Sequence, residues 1–307
     1  MTKVLVATDK PFAAIAVKGI REVVEAAGME LALLEKYTEK RQLLDAVKDA
    51  DALIIRSDIV DAEVLEAAGQ LKIVVRAGAG YDNVDLTTAT ARGICVMNTP
   101  GQNSNAVAEL VFGLLVYASR GFYNGGSGTE LKGRKLGILA YGNVGRNVAR
   151  IAKGFGMDIY AFDPYAPAQA IENDGVKAVA STEELFAACQ IVSLHIPATP
   201  ETKKSINHGL LKSMPQGAIV VNTARKEVID EAALARVFEE RPDFKYLSDI
   251  QPGINAELAA KYPGRYFATP QKLGAQTSES NINAGIAAAK QIVDFLRNGN
   301  TKFKVNA

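Results

Sequence analysis

The chain has 307 residues, of which 48% are hydrophobic and 22% are charged, and its formal net charge is +1. This length accommodates two domains with separate hydrophobic cores. The near-neutral charge gives no electrostatic reason to expect nucleic acid or an anionic membrane as a partner. The N-terminus has the pattern of a first strand and not of a signal peptide, and no apolar run reaches membrane-spanning length, so a cytoplasmic protein is expected. Cys95 and Cys189 lie in apolar runs and are predicted to be buried, reduced thiols.

Strand-like and helix-like runs alternate in the N-terminal third of the chain. The predicted strands are residues 3–8, 31–35, 52–56, 72–76 and 93–97, and the predicted helices are residues 12–27, 41–48, 62–68 and 86–91. This alternation predicts a parallel sheet that is covered by helices on both faces. Ligands of such sheets bind beyond the carboxyl ends of the strands. Arg56 and Arg76 end two of these strands, where they would hold a small anion.

The remainder of the chain continues this pattern. A long helix is predicted at residues 104–120, and the glycine-rich tract at residues 121–128 is predicted to be a linker. Further strands are predicted at residues 136–140, 158–162, 191–196, 218–223, 244–250, 266–269 and 302–305, and further helices at residues 182–188, 231–240 and 278–297. The predicted fold class is α/β: two halves with parallel sheets, linked by long helices, with a cleft between their facing strand ends.

The segment from Leu136 to Asp163 has the layout of a nucleotide-binding unit, with a strand, a glycine turn, a helix, a second strand and an acid. The turn would let the backbone approach a pyrophosphate at the positive end of the helix, and its residues are Gly142, Asn143, Val144 and Gly145. Asp163 lies eighteen residues after Gly145, where an acid binds a ribose 2′-hydroxyl and repels a 2′-phosphate, which favours NAD over NADP. Ala140 stands where the fingerprint has its first glycine, and the alternative interpretation is a structural turn.

Outside this segment, few side chains suggest a catalytic or binding role. Arg225 ends a predicted strand, and an arginine there can polarise a carbonyl group and bind a carboxylate through two parallel hydrogen bonds. His195 is expected to line the nucleotide site without a role in proton transfer, and His208 to be a solvated turn residue. Lys272 follows a strand end, and its residue type alone indicates a surface position. No metal site is predicted.

Taken together, these motifs resemble the D-2-hydroxyacid dehydrogenase family over nearly all of the chain. The matching runs are Arg76–Asp85, Asn98–Ser104 with Ala108 and Glu109, Gly142–Gly145, Asp163–Pro164, His195–Thr202 and Asn222–Arg225. The resemblance implies two Rossmann-like domains, a homodimer, and hydride transfer between NAD and a 2-hydroxy acid. It implies a substrate domain at residues 1–98 and 278–307 and an NAD-binding domain at residues 99–277, which includes the linking helix 104–120. No regulatory domain follows Ala307, so feedback through an appended ACT-type module is not expected.

The resemblance also implies which residues bind cofactor and substrate. The cofactor residues would be Gly142, Asn143, Val144, Gly145, Asp163, His195, Pro197, Thr202, Thr223, Ala224, Asp249 and Gly274. Arg56 and Arg76 match phosphate-binding arginines of the family, and Arg120 is a candidate for a further contact across a dimer. The backbone N–H groups of Gly78 and Ala79, with Asn103, fit a carboxylate. A phosphorylated three-carbon hydroxy acid would satisfy both ends of the substrate site.

The catalytic residues depart from the family pattern, which uses an arginine, a glutamate and a histidine. Arg225 matches the arginine, but Lys272 takes the place of the histidine and Ile254 that of the glutamate. Histidine has a reference pKa of about 6.5 and benefits from an acidic partner, whereas lysine at about 10.4 stays protonated without one. The hypothesis is that Lys272 is the acid/base, with its pKa lowered by burial and by Arg225. Glu257 is a candidate to assist from a nearby loop.

The sequence also leaves other functions open. A glyoxylate or hydroxypyruvate reductase of the same family would leave Arg56 and Arg76 with little to bind. A formate dehydrogenase is disfavoured because that branch keeps the histidine. A catalytically weak NAD-sensing scaffold would explain the lost histidine and glutamate, but it would not need Arg225 or Asn103.

Overall fold

The computed structural model describes residues 1–307, and these divide into two compact units. The terminal unit comprises Met1–Asn103 and Gln276–Ala307, and the central unit comprises Ser104–Ala275. The predicted domain boundaries, at residues 98/99 and 277/278, lie within a few residues of these limits. Each unit contains a parallel sheet with helices, which confirms the predicted α/β class. A cleft between the units remains a prediction. No helix combines the length and the hydropathy that a transmembrane span requires.

The elements alternate along both units. In the terminal unit they are β1 (Lys3–Thr8), α1 (Ala14–Ala26), β2 (Glu30–Glu35), α2 (Lys40–Val47), β3 (Ala52–Ile55), α3 (Ala62–Ala67), β4 (Ile73–Arg76), α4 (Leu86–Ala91) and β5 (Cys95–Asn98). In the central unit they are α5 (Ser104–Ser119), β6 (Lys135–Leu139), α6 (Asn143–Gly154), β7 (Asp158–Phe162), α7 (Ala168–Asn173), β8 (Lys177–Ala178), α8 (Thr182–Ala188), β9 (Ile191–Leu194), α9 (His208–Ser213), β10 (Ile219–Asn222), α10 (Glu231–Glu240), β11 (Lys245–Ser248), α11 (Asn255–Lys261) and β12 (Tyr266–Ala268). The chain then returns to the terminal unit with α12 (Ser278–Asn298).

The strand orders place a ligand site in each unit. The terminal sheet has the order β2-β1-β3-β4-β5, and the central sheet has the order β12-β11-β10-β9-β6-β7-β8. All neighbouring strands in both sheets are parallel. The order reverses between β1 and β3 and between β6 and β9, and open α/β sheets bind ligands at such switch points. The residues that follow these strands include Arg56, Ala140 and His195.

Helix α12 belongs to the terminal unit because it packs closely on α1. A Cβ atom on Gly19 would lie 2.7 Å from Cδ1 of Ile286, and one on Gly285 would lie 3.0 Å from Cδ1 of Ile20. The missing side chains therefore let the two helices approach each other. This contact joins the two ends of the chain in one unit.

Three local predictions are wrong, and both cysteine predictions are confirmed. Residues 302–305 form no strand, because only Lys304 makes an isolated bridge to Met97. The glycine-rich tract 121–128, which begins with a short 3-10 helix at Gly121–Tyr123, lies inside the central unit and does not link the units. His208 is not a solvated turn residue: it begins α9, and its Nε2 lies 3.0 Å from Oε2 of Glu240. Cys95 and Cys189 are buried free thiols.

Candidate active site

The loop between β6 and α6 has the geometry of a phosphate-binding turn. Gly142 is exposed, and it caps α6 without a side chain that would occupy the helix N-terminus. The first N–H groups of a helix have no acceptor within the helix, so these groups are available to an anion. Gly145 is buried, and a Cβ there would lie 2.3 Å from the carbonyl oxygen of Ala140. Only glycine therefore fits where α6 begins against the end of β6.

Ala140 occupies the first fingerprint position in a left-handed conformation, with φ at +76°. This conformation explains why the fingerprint has glycine there, because a Cβ makes positive φ unfavourable. The chain folds with alanine in spite of this cost, and the Ala140 N–H donates to the carbonyl of Phe162 at 2.9 Å.

We expect the substitution Ala140→Gly to stabilise the protein. Relief of the left-handed strain is worth about 1–2 kcal/mol, and the greater freedom of glycine in the unfolded chain offsets about half of it. The free energy of unfolding, measured by urea titration, should therefore rise by about 0.5–1 kcal/mol. Ala149→Gly in the interior of α6 is the matched control and should lower it by a similar amount. A loss of stability in both variants would contradict the assignment of strain to Ala140.

Asp163 follows β7, and its carboxylate organises the nucleotide loop. One oxygen accepts a hydrogen bond from the N–H of Tyr141 at 2.7 Å. The other accepts from the N–H groups of Tyr165 and Ala166 at 2.8 Å and 3.3 Å. The side chain is only partly buried, and a carboxylate has about four lone-pair positions, so acceptor capacity remains for a ribose hydroxyl. The residues present thus fit a dinucleotide at this switch point.

His195 directly follows β9, and its ring is neutral. The backbone N–H of His195 donates to the carbonyl of Leu139 at 2.9 Å, and this bond fixes the residue beside the end of β6. Its Nε2 lies 2.9 Å from Oγ of Ser193, and its Nδ1 lies 3.5 Å from Oγ1 of Thr223. Burial lowers the pKa of His195 to about 3, because the charged ring loses its hydration. The geometry supports the interpretation that His195 exchanges no proton at neutral pH.

Pro197 and Thr202 lie in the loop after His195. The hydroxyl of Thr202 donates to the Pro197 carbonyl at 2.5 Å and accepts from the N–H of Thr199 at 2.7 Å. This turn is closed by its own side chain. Contact of either residue with a cofactor remains a prediction.

The turn after β10 positions Arg225. The Asn222 side chain accepts from the Ala224 N–H at 2.9 Å and donates to the Arg225 carbonyl at 3.0 Å. Thr223 and Ala224 are buried, whereas Arg225 is partly exposed. The guanidinium Nη1 of Arg225 donates to the Ala224 carbonyl at 2.9 Å. The remaining donors of this planar group suit a carboxylate.

Lys272 lies on the segment between β12 and α12, and it is exposed. The structure therefore does not provide the burial that the acid/base hypothesis assumes. Asp249, by contrast, is fully buried. Its carboxylate accepts from the Thr269 hydroxyl at 3.0 Å and from the N–H groups of Leu273 and Gly274 at 2.7 Å and 2.8 Å. Asp249 thus holds the backbone beside Lys272, and its contact with a cofactor remains a prediction.

The candidate helper Glu257 is engaged elsewhere. It lies on helix α11 and not on a loop, and it forms an ion pair with Lys261 at 2.8 Å. Ile254, at the position of the family glutamate, caps α11 and packs against the hydrophobic core of the central unit. The structure therefore offers no carboxylate in the glutamate position, and the family glutamate is replaced by a packing residue.

In the terminal unit, Arg56 is largely occupied by protein partners. Its Nη1 donates to the carbonyls of Lys10 and Pro11 at 3.0 Å and 3.2 Å, and its Nη2 donates to Oδ1 of Asn281 at 2.7 Å. The guanidinium also lies over the Phe12 ring, 5.2 Å from its centroid. Arg56 therefore joins the loop after β1 to helix α12. The sequence does not indicate the contact with Asn281, because 225 residues separate the two in the chain.

The guanidinium of Arg76 makes fewer hydrogen bonds within the protein than that of Arg56. Its Nε donates to the Arg56 carbonyl at 3.0 Å, and this is the only bond of its guanidinium within the protein. A Cβ on Gly78 would lie 1.5 Å from Nη1 of Arg76, so glycine leaves the space for the guanidinium. Burial, and then the positive charge of Arg56, lower the pKa of Arg76. Two cations in partly buried positions favour an anion there.

The predicted carboxylate site is partly corrected. The Gly78 N–H donates to the Arg76 carbonyl at 2.9 Å, so it is not available to a substrate. Ala79 is exposed, and its carbonyl accepts from Nδ2 of Asn98 at 2.6 Å. Asn103 is partly buried at the last position of the terminal unit. Binding of a carboxylate by Ala79 and Asn103 remains a prediction.

The comparisons with known proteins agree on one family. Residues 117–253 match the model of the NAD binding domain of D-isomer specific 2-hydroxyacid dehydrogenases. A D-3-phosphoglycerate dehydrogenase of Methanocaldococcus jannaschii is 36% identical over 97% of this chain and 58% of that protein. A hydroxypyruvate reductase of Thermotoga maritima is 35% identical over 86% of this chain and 90% of that protein. The chain thus spans little more than half the length of some curated relatives.

A solved structure is similar over the whole chain. It is an NAD+-bound 3-phosphoglycerate dehydrogenase from Entamoeba histolytica, with 48% sequence identity and a TM-score of 0.86. The match covers 100% of this chain and 99% of the other.

Proposed function

Because this chain belongs to the D-2-hydroxyacid dehydrogenase family, we propose that it oxidises D-3-phosphoglycerate to 3-phosphohydroxypyruvate with NAD, the first step of phosphorylated serine biosynthesis. The observation that carries the proposal is the Arg76 guanidinium, which lies beside Arg56 and keeps both Nη groups free of protein acceptors. Such a pair of donors on a planar cation suits a phosphate. The names of several relatives support the same substrate.

The cofactor of this chain is NAD, and the central unit would hold it. The N-terminus of α6, from Gly142 to Gly145, would bind the pyrophosphate, and Asp163 would bind a ribose hydroxyl. His195 and Thr223 would line the site as neutral polar groups. When bound, NAD accepts the hydride that leaves the carbon bearing the hydroxyl group.

Two side chains of the central unit would act on the substrate. Arg225 binds the carboxylate and polarises the oxygen at the reacting carbon. During oxidation the neutral amine of Lys272 accepts the hydroxyl proton while the carbonyl bond forms, and during reduction the ammonium group returns that proton. A lysine needs no acidic partner to carry the proton in the reductive direction, which agrees with the apolar Ile254 at the glutamate position.

We also propose that the protein is cytoplasmic, and that it is a homodimer, as the family resemblance implies. Light scattering coupled to size-exclusion chromatography would give the mass of the particle. A value of one chain, 32.7 kDa, would contradict this part of the proposal.

The substrate is tested by the absorbance of NADH formed with D-3-phosphoglycerate, against D-glycerate at the same concentration. We expect kcat/KM to be at least about tenfold higher with the phosphorylated acid, because a charged hydrogen bond contributes about 1.5–3 kcal/mol. The reverse reaction with phosphohydroxypyruvate provides a more sensitive assay. Equal activity with glycerate would contradict phosphate recognition. If neither acid is oxidised and the reverse reaction is also absent, the proposal that this chain is an active dehydrogenase is wrong.

A second candidate is hydroxypyruvate reductase, which the match to the Thermotoga maritima protein favours. Reduction of hydroxypyruvate at a kcat/KM above that for phosphohydroxypyruvate would establish it. Arg56 and Arg76 would then have no role at the substrate.

A further inference from the structure

We propose that Asp58 is a positioning residue for Arg56, and that through Arg56 it sets how strongly the terminal unit binds the phosphate group of the substrate. This inference rests on the proposed function, in which Arg56 and Arg76 form the anion site. Asp58 lies two residues after Arg56, in the turn that follows β3, and it is 5% exposed. A carboxylate near an anion site also repels the anion, so positioning and repulsion predict opposite effects of its removal.

The carboxylate of Asp58 holds the backbone of Arg56 and of the loop after β1. Its Oδ2 accepts from the N–H of Arg56 at 3.3 Å, and its Oδ1 accepts from the N–H of Asp9 at 2.7 Å. Oδ1 also accepts from the phenol of Tyr37, in the loop after β2, at 2.7 Å. A carboxylate only accepts and has about four lone-pair positions, so it can satisfy all three donors. One buried group thus connects the segments that follow three neighbouring strands.

The loop that Asp58 holds is also the loop that receives the guanidinium of Arg56. Asp9 is followed by Lys10 and Pro11, and the carbonyls of these two residues accept from Nη1 of Arg56 at 3.0 Å and 3.2 Å. Asp58 therefore acts at both ends of Arg56, because it bonds the backbone N–H and fixes the residue next to the carbonyl partners. A guanidinium that is already fixed loses less conformational freedom when an anion binds.

The carbonyl of Arg56 links the same turn to Arg76. It accepts from Nε of Arg76 at 3.0 Å and from Nδ2 of Asn83 at 3.1 Å, and Asn83 also donates to the carbonyl of Asp58 at 2.7 Å. A displacement of the turn would therefore disturb both cations. Burial lowers the pKa of Arg56, and the negative charges of Asp58 and Asp9 oppose this shift. Asp58 thus offsets part of the cost of burying the cation that it positions.

The test uses Asp58→Asn in the full-length protein. In either orientation the amide turns its NH2 group towards a backbone N–H, that of Asp9 or that of Arg56, so one of these two bonds is lost. We expect KM for D-3-phosphoglycerate and the inhibition constant of inorganic phosphate to rise about three- to tenfold. The kcat and the KM for D-glycerate should stay within about twofold, because glycerate has no phosphate group. Tighter binding of phosphate would mean that the charge of Asp58 only repels, and it would overturn the proposal.

A double-mutant cycle tests whether Asp58 acts through Arg56. The measured quantity is the phosphate preference, which is the ratio of kcat/KM for D-3-phosphoglycerate to kcat/KM for D-glycerate. Arg56→Met removes the guanidinium and should itself lower this preference. In that background Asp58→Asn should change the preference less than about twofold, because the group that it positions is absent. An equal effect of Asp58→Asn in both backgrounds would show that Asp58 acts on another group, and the proposal would be wrong.

Two further variants separate positioning from stability. Asp51→Asn is the matched control, because Asp51 also accepts a backbone N–H, that of Lys3 at 2.9 Å, but it lies before β3 whereas Asp58 follows that strand. It should lower the free energy of unfolding and leave the phosphate preference unchanged. If circular dichroism shows that Asp58→Asn does not fold, Asn83→Ala loosens the same turn. It should lower the phosphate preference when Arg56 is present but not in Arg56→Met, and an unchanged preference would then contradict the proposal.

The outcomes also distinguish this proposal from the proposed function. If Arg76→Met and Asp58→Asn both leave the phosphate preference unchanged, the anion site is wrong, and the substrate and the positioning role fail together. If Arg76→Met lowers the preference and Asp58→Asn does not, phosphate recognition stands and the positioning role of Asp58 is wrong. A fall in kcat with both acids in Asp58→Asn would indicate general damage to the fold and would also contradict the proposal.

Discussion

Replacement of Lys272 by methionine should lower kcat for oxidation of D-3-phosphoglycerate by about 100- to 10,000-fold, the usual contribution of a general acid/base. Methionine has a similar length and is apolar, so the hydroxyl proton has no acceptor at that position. NADH binding should change less than about threefold, because Lys272 is assigned no cofactor contact. Steady-state kinetics in both directions and a fluorescence titration with NADH measure the two quantities.

Lys272→Arg separates proton transfer from charge. An arginine keeps the positive charge but cannot be deprotonated in a protein, so this variant should be as inactive in oxidation as Lys272→Met. Lys261→Met is the matched control, since Lys261 is an exposed lysine of the same unit that pairs with Glu257. It should retain the activity of the unmodified protein. An active Lys272→Arg enzyme would mean that the residue supplies charge, and that the proton goes elsewhere.

The direction of the pH dependence follows from the same assignment. Oxidation requires the neutral amine of Lys272, so its rate should rise with pH, whereas reduction requires the ammonium form. His195 does not contribute to the profile near neutrality, because its pKa is held at about 3. A profile that the Lys272→Arg variant preserved would point to another group.

The sequence predicted the sheets because buried parallel strands have a simple pattern. Each strand has apolar residues on both faces, as in β1, where Val4 and Val6 enter one core and Leu5 and Ala7 the other. Residues 302–305 have similar residue types, yet they make only one bridge to the sheet, since Asn306 instead bonds the backbone of Val96. Residue type alone does not distinguish these two outcomes.

The sequence identified candidate site residues, but it did not indicate which of their polar groups hydrogen-bond within the protein. Arg56 and Arg76 look alike in the sequence, and only the fold brings Asn281 and the carbonyls of Lys10 and Pro11 to one of them. The burial of Asp249 and its hydrogen bonds to Thr269, Leu273 and Gly274 depend on a segment 20 to 25 residues later in the chain. Long-range hydrogen bonds of this kind leave no periodic signal in the chain.

Arg76→Met should raise KM for D-3-phosphoglycerate by about 10- to 150-fold, which corresponds to the loss of about 1.5–3 kcal/mol from charged hydrogen bonds. Methionine fills the same space but removes the two free Nη groups. The KM for glycerate should change little, because glycerate has no phosphate to lose. Inhibition by inorganic phosphate, measured against D-3-phosphoglycerate, should weaken in parallel and gives a second readout at the same residue.

Asn281→Ala is the informative partner of this variant, because Asn281 holds Arg56 and is assigned no substrate contact. It should leave kcat unchanged and raise KM for D-3-phosphoglycerate about three- to tenfold, since Arg56 loses one of its hydrogen bonds at about 1 kcal/mol. Arg56 and Arg76 then act as one anion site, with Arg76 supplying the free donors and Arg56 the fixed charge beside them. If Arg76→Met leaves the preference for phosphorylated over unphosphorylated acid unchanged, the terminal unit does not bind the phosphate group of the substrate. The substrate proposed for this chain is then wrong.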